Sequence, residues 1–258
     1  MAVSSSAVAF EKVRRLAGKA IADYRMIDSG DHLMVGVSGG LDSLTLLEVL
    51  HDLRHRAPVH FEIEAVTFDP GFEGFNAAAI GEYCQKRGYP HRVISLDIPA
   101  LLASKEDRRR PCVLCSRLRR GNLYSLSLQL GCNKLALGHH LDDIAVSFLM
   151  SMFRGQGLST MGPHVAAENP RIRVIRPMAY ASEELVKIAA KAFAFPHAGE
   201  CLYRKELEQN GDREYFKNEL KRLAERIPDV REAMLRSLSD VRLNHLLDRR
   251  YLKLGEKE

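Results

Sequence analysis

No apolar run in this 258-residue chain approaches the roughly 18 residues that a membrane-spanning helix requires. The opening stretch, MAVSSSAVAFEKVRRLAGKA, has neither the basic start nor the Leu-rich core of a secretory signal. It reads as the beginning of an amphipathic helix, and a cytoplasmic protein without a membrane partner is expected. Cysteine is scarce: there are five, an odd number, which without a secretion signal argues against a disulfide framework. A second CxxC pair is missing, as are internal repeats and low-complexity segments. Net charge is only +5, with 28% of residues charged, so overall charge does no more than tilt towards an anionic partner.

What is present is an alternation of β-rich runs and helical patterns. Residues 32–37, 60–69, 91–97, 134–138 and 171–178 are strand candidates. The helical pattern after the first carries Leu44, Leu47, Val49, Leu50 and Leu53 at spacings of three and four. This order predicts an α/β protein: a Rossmann-like parallel sheet with helices on both faces. Ligands of such sheets bind beyond the carboxyl ends of the strands. From about Gly211 the character changes to Arg, Lys and Glu-rich helix, broken at Pro228. We therefore expect a main unit over 1–210 and a helical C-terminal extension over 211–258.

Directly after the first strand comes SGGLDS, Ser38 to Ser43. Gly39 and Gly40 allow a tight turn that aims backbone N–H groups at an anion, and the following helix points its positive end at the same place. Ser38 and Ser43 offer hydroxyls, and Asp42 could hold a magnesium ion. The loop is neither a Walker loop, for it lacks the Lys-Ser/Thr ending, nor a dinucleotide GxGxxG. A glycine turn with a serine cap is the plain alternative. A second cluster, LGHHLDD, follows the strand at 134–138. Its acids, Asp142 and Asp143, could bind magnesium, and its imidazoles, His139 and His140, could donate to phosphate. Its plain alternative is an aspartate cap beside two solvated histidines.

Cys84 and Cys132 lie in helical or helix-to-strand contexts and read as core thiols. Cys112 and Cys115 sit in RRRPCVLCSRLRRG, among Arg108, Arg109, Arg110, Arg117, Arg119 and Arg120. Such a charge run alone is most often a solvated face. The CxxC could be a redox dithiol, half of a zinc site or part of an iron–sulfur site. Cys201, with His197 four residues before it, could complete a Cys3His zinc site. Three thiols alone would suit a 4Fe-4S cluster with one iron left open.

SGGLDS resembles the PP-loop of the ATP pyrophosphatase superfamily. CVLCSRLRRGNLY, ALGHHLDDIAVSFLMSMFRGQGLSTMGP, VIRPMAY and, more loosely, FAFPHAGEC and DVRLNHLLD together resemble the tRNA 2-thiocytidine synthetase family, from about Gly30 to Asp248. The resemblance implies an adenine nucleotide alpha hydrolase-like fold. It implies that Ser38, Gly39, Gly40, Asp42 and Ser43, with His139, His140 and Asp143, serve ATP and Mg2+. It implies that Cys112, Cys115 and Cys201 bind a 4Fe-4S cluster, and that these thiols with Asp42 and Asp142 carry the chemistry. The arginine run would then position the tRNA backbone. The implied reaction adenylates the C2 oxygen of an anticodon-loop cytidine and replaces it with sulfur. The partners would be tRNA and a sulfur donor such as a cysteine desulfurase; a homodimer is among the states the resemblance allows.

Two departures stand out. Leu41 occupies a position where the family usually has Lys. Arg204 stands where a further cysteine often follows the one matching Cys201. They keep other readings open: a paralogue acting on a different substrate, or a zinc-stabilised, nucleotide-dependent RNA-binding protein. A lysidine-type synthetase shares both motifs but needs no metal cysteines.

Overall fold

The computed structural model describes residues 4–99, 121–199 and 211–252. Its centre is a six-stranded sheet in the order β3-β2-β1-β4-β6-β5. The strands are β1 (His32–Gly36), β2 (Glu62–Asp69), β3 (His91–Ser95), β4 (Lys134–Ala136), β5 (His164–Ala166) and β6 (Arg173–Ile175). All pairings are parallel except that of β5 with β6. The five expected strands are all present. The three-residue β5 was not foreseen; its Val165 pairs with Val174 of β6 at the sheet edge.

Strand side chains alternate between two cores, as a period of two requires. Leu33, Val35, Ile63, Ala65, Ala136 and Ile175 face one way, into a core shared with helices α1 (Ser5–Asp23), α2 (Leu41–Arg54), α3 (Ala77–Arg87) and a short helix, Glu183–Ala190. Met34, Val66, Leu135 and Val174 face the other way, against Leu123, Tyr124, Leu126 and Leu130 in and just beyond the helical stretch 121–129. Both faces of the sheet are thus covered. Cys84 and Cys132 are buried free thiols, one in each core, and burial pushes each up to about 11.

The first core also holds a polar knot. Glu48 of α2 accepts hydrogen bonds from Tyr83 Oη (2.6 Å) and Tyr89 Oη (2.9 Å) and pairs with Arg87. His51, one turn further along α2, stacks on Tyr89 with ring centroids 3.6 Å apart. These contacts fasten α2, and with it the loop that precedes it, to α3.

Helix α4 (Leu141–Phe153) follows β4, and α5 (Glu183–Ala190) follows β6 and the 3-10 turn Pro177–Tyr180. Helices α6 (Asp212–Arg226) and α7 (Val230–Ser239) break around Pro228, and no strand follows them among the described residues. Phe216, Leu220 and Val230 bury against Ala145, Val146 and Leu149 of α4. No helix among the described residues is long and apolar enough to cross a membrane.

Candidate functional site: a phosphate-type cavity at the sheet's switch point

Strand β1 is flanked by β2 on one side and β4 on the other, so the chain reverses its direction of travel across the sheet at β1. A cavity of about 690 Å³ opens beyond the carboxyl ends of the central strands, where such a reversal leaves a crevice. Ser38 lines it from the loop after β1 and Asp42 and Ser43 from the first turn of α2; His139 lines it from the loop after β4 and Asp143 from the first turn of the helix that follows. Val66, Phe68, Pro70 and Tyr124 supply an apolar side.

The loop after β1 is locked from within. Ser38 N–H donates to Ser43 Oγ (3.1 Å), the two hydroxyl oxygens lie 3.2 Å apart, and Ser43 Oγ donates to Gly40 O (2.9 Å). Gly39 has φ +81°, and a Cβ there would fall 2.3 Å from Ala198 Cβ. Gly40 is the N-cap of α2 and provides no side chain to cap it. The first N–H groups of a helix have no intrahelical acceptor, so these face the cavity's end of α2 with capacity to spare. Leu41 follows at 46% exposure. A Cβ on Gly138 would come within 3.0 Å of Asp42 C and O and Ser43 N, so the loop after β4 packs backbone to backbone on the start of α2.

The charges around the cavity are unevenly paired. Burial pushes the Asp42 carboxyl up; His140 opposes this, Asp143 and Glu183 add to it, and Lys187 opposes it. Lys187 of α5 thus sets an ammonium group within electrostatic range of Asp42. Burial would raise Glu183 too, but its hydrogen bonds from Lys187 and Lys217 outweigh that and bring it down to about 2. His139 is driven down to about 4 by burial, against the pull of Asp143 and with the help of Arg176 and Arg213, so it is neutral at ordinary pH. Arg176 Nε donates to His139 Nδ1 at 3.2 Å. Since Nδ1 accepts, the ring proton sits on Nε2, leaving that nitrogen a donor.

The two acids of the HHLDD stretch diverge. Asp143 lines the cavity, accepts His140 N–H at 3.0 Å and pairs with Arg213 of α6. Asp142 is not among the cavity-lining residues. It accepts the Glu183 N–H at 2.7 Å at the start of α5 and pairs with Arg231 of α7. His140 is the buried N-cap of α4, and its Nδ1 has no hydrogen-bond partner among the described residues. Arg176 and Arg213 line the cavity and were not singled out from the sequence. Arg176 falls within VIRPMAY and Arg213 within an Arg- and Lys-rich helix, but neither pattern says which arginine turns to the cavity; tertiary placement does.

Cys112, Cys115 and Cys201, together with Arg108, Arg109, Arg110, Arg117, Arg119 and Arg120, lie outside the described residues. One described flank packs against the loop after β1 and the other lines the cavity. Ala198 packs on Gly39 and its carbonyl accepts Asn76 N–H at 2.9 Å, three residues before Cys201. Gly199 lies so close to Gly74 that a Cβ would fall 2.0 Å from Gly74 O. On the other side, Leu123 and Tyr124 line the cavity directly after the arginine run. His197 is exposed. Among the described residues no three or more His, Cys, Asp and Glu side chains gather as a metal site.

Comparison with known proteins gives a consistent picture. The PP-loop domain family matches residues 11–223. A tRNA-cytidine(32) 2-sulfurtransferase of Syntrophotalea carbinolica is 41% identical over 93% of this chain and 92% of its own length. One from Geobacter metallireducens is 38% identical over 96% of each chain. Among solved structures, the U34-tRNA thiolase NcsA from Methanococcus maripaludis, determined with its 4Fe-4S cluster, superposes with a TM-score of 0.72 at 22% identity, covering 90% of this chain and 78% of that one. That likeness shows a shared fold.

Proposed function

The chain belongs to the PP-loop family of tRNA-cytidine 2-sulfurtransferases, and from that premise we propose that it replaces the C2 oxygen of an anticodon-loop cytidine in tRNA with sulfur, at the expense of ATP. The observation that carries this reading is the cavity that joins the Ser38–Ser43 loop to His139 and Asp143 at the switch point of the sheet.

In this reading the phosphates of ATP lie on the loop of residues 38–43 and the first N–H groups of α2. Arg176, Arg213 and His139 Nε2–H face the same space and can donate to phosphate oxygens. The cytosine O2 attacks the α-phosphorus, pyrophosphate departs, and the base is left as an O-adenylate whose leaving group is AMP. Fixed donors around the α-phosphate stabilise charge as it develops there. Asp42 stands in the cavity wall at the start of α2, where a bound magnesium ion would offset the burial that raises its carboxyl. Asp143, already paired with Arg213, stands at the same wall.

The donor set for a 4Fe-4S cluster is Cys112, Cys115 and Cys201. Three thiolates satisfy three irons, and no other cysteine competes, because Cys84 and Cys132 are buried in the cores. The flank after Cys112 and Cys115 lines the cavity, and the flank before Cys201 packs on the loop after β1, which favours delivery at the base rather than at a distant site. Such a cluster, when bound, supplies the sulfur that takes the place of O2 as AMP leaves.

The test uses protein purified without oxygen. Its iron, sulfide and zinc content are measured, and tRNA incubated with ATP and a sulfide source is digested for nucleoside mass spectrometry. About four irons and four sulfides, with 2-thiocytidine formed by the wild type and lost in Cys201→Ala, are the expected results. One zinc, no iron and no thiolated nucleoside would replace this reading with the zinc-stabilised RNA-binding one.

A further inference from the structure

Beside the main cavity lies a second hollow, of about 260 Å³. Ser147, Gln156, Ser159 and Thr160 line it, and Met161 and Arg213 line both hollows, so the two share a wall. It is built by the turn after α4. Ser151 Oγ donates to Gly157 O at 2.8 Å and lies 2.8 Å from Ser159 Oγ; Thr160 Oγ1 donates to Ile144 O at 2.6 Å; Gln156 N donates to Ser151 O at 2.9 Å. The turn is therefore fastened to its own helix. The Gln156 amide and the Ser147 hydroxyl have no hydrogen-bond partner among the described residues, although both face this hollow.

Aromatic surface is exposed on α4 and α6, the two helices that bring Ser147 and Arg213 to this hollow. Phe153, the last residue of α4, is 67% exposed and stacks on Phe216 with ring centroids 5.8 Å apart and planes 25° apart. Tyr215 is 59% exposed on the adjoining helix. An amide that both donates and accepts, a neighbouring hydroxyl and an exposed ring on the helix that carries Ser147 make a combination suited to one chemical object: a heterocyclic base. Its edge needs paired donors and acceptors and its face needs a π surface. A flat protein partner would not need the polar floor, and the hollow is too small for a folded one. Arg213, pointing into both spaces, brings a cation to the phosphate that such a nucleotide would carry.

We propose that this hollow is the seat of the unpaired pyrimidine of an RNA loop, with Gln156 and Ser147 reading its polar edge and Phe153 stacking on its face. The proposal rests on the thiolation reading and adds the subsite where the acceptor base is held. The shared wall at Met161 and Arg213 would place that base next to the nucleotide phosphates, as a direct attack requires.

The experiment measures binding of the holoprotein to a synthetic anticodon stem-loop RNA with an unpaired loop cytidine, and to the same RNA made abasic at that position. Wild type should prefer the intact RNA. Phe153→Ala and Gln156→Ala should each weaken its binding by about fivefold or more and erase the preference. Affinity for a non-hydrolysable ATP analogue should not move, and melting temperature should hold because both side chains are exposed. Variants that bind the intact RNA as tightly as wild type and still prefer it would overturn the assignment. Nucleoside mass spectrometry on the same preparations separates the two ideas. Thiolation by the wild type with unaltered variant binding removes the hollow alone. Base preference lost in the variants, without any thiolation by the wild type, supports the hollow and removes the thiolation reading.

Discussion

At Gly39 the backbone holds φ +81° while Ala198 closes over it, leaving no room for a methyl group. Gly39→Ala is therefore expected to distort the phosphate loop and lower ATP-to-AMP turnover by about tenfold or more, at a strain cost of about 1–3 kcal/mol; turnover and melting temperature measured together check it. His51 gives a second prediction. Burial, with Arg54, His55 and Arg87 around it, shifts its pKa from 6.5 to about 4. Between those values the unfolded chain binds the proton and the folded one does not, so stability rises with pH across that window and is fully present above 6.5. The loss on acidification is roughly 3 kcal/mol. His51→Phe keeps the stack on Tyr89 and should flatten this part of the pH–stability curve; an unchanged slope between pH 4 and 6.5 would refute the assignment. Residues of this kind differ in how legible they were. Gly39 announced itself, because a glycine pair between a strand and a helix is a local signal. Its neighbour Ala198 did not, since the contact spans most of the chain.

Helix α4 shows the same contrast one level up. Its start, HHLDD, was readable as a cluster, but the separate destinations of its two acids were not. Asp143 goes to the cavity and Arg213; Asp142 goes to the start of α5 and Arg231. The partners lie 70 and 89 residues further on, beyond any local pattern. Breaking a buried ion pair from one side costs more than removing both charges. Arg231→Met alone should therefore lower the melting temperature more than the double variant with Asp142→Asn, with thermal denaturation of the two variants as the check. Leu220→Ala empties part of the small core between α4 and α6 and should cost about 2–5 kcal/mol in denaturant titration. The five parallel strands were legible because apolar β-rich runs alternate with helical spacing. Strand β5 has three residues and two of them are exposed, so only its pairing with β6 makes it a strand.

Across the whole molecule, the cavity draws on elements from β1 to α6. A non-hydrolysable ATP analogue with magnesium should slow amide hydrogen exchange in residues 38–44 and also in 211–217, where Arg213 reaches the cavity. Protection confined to the first segment would take Arg213 out of the nucleotide site. The late position of Arg213 and Arg231 also sets a timetable for synthesis. A nascent chain that has left the ribosome only as far as Gly211 carries the phosphate loop and both signature acids, yet Asp142 and Asp143 still lack their guanidinium partners. Translation thus withholds the cavity's own ion pair until Arg213 has emerged, and a ribosome stalled before Arg231 would display a chain whose Asp143 is answered and whose Asp142 still waits for its guanidinium.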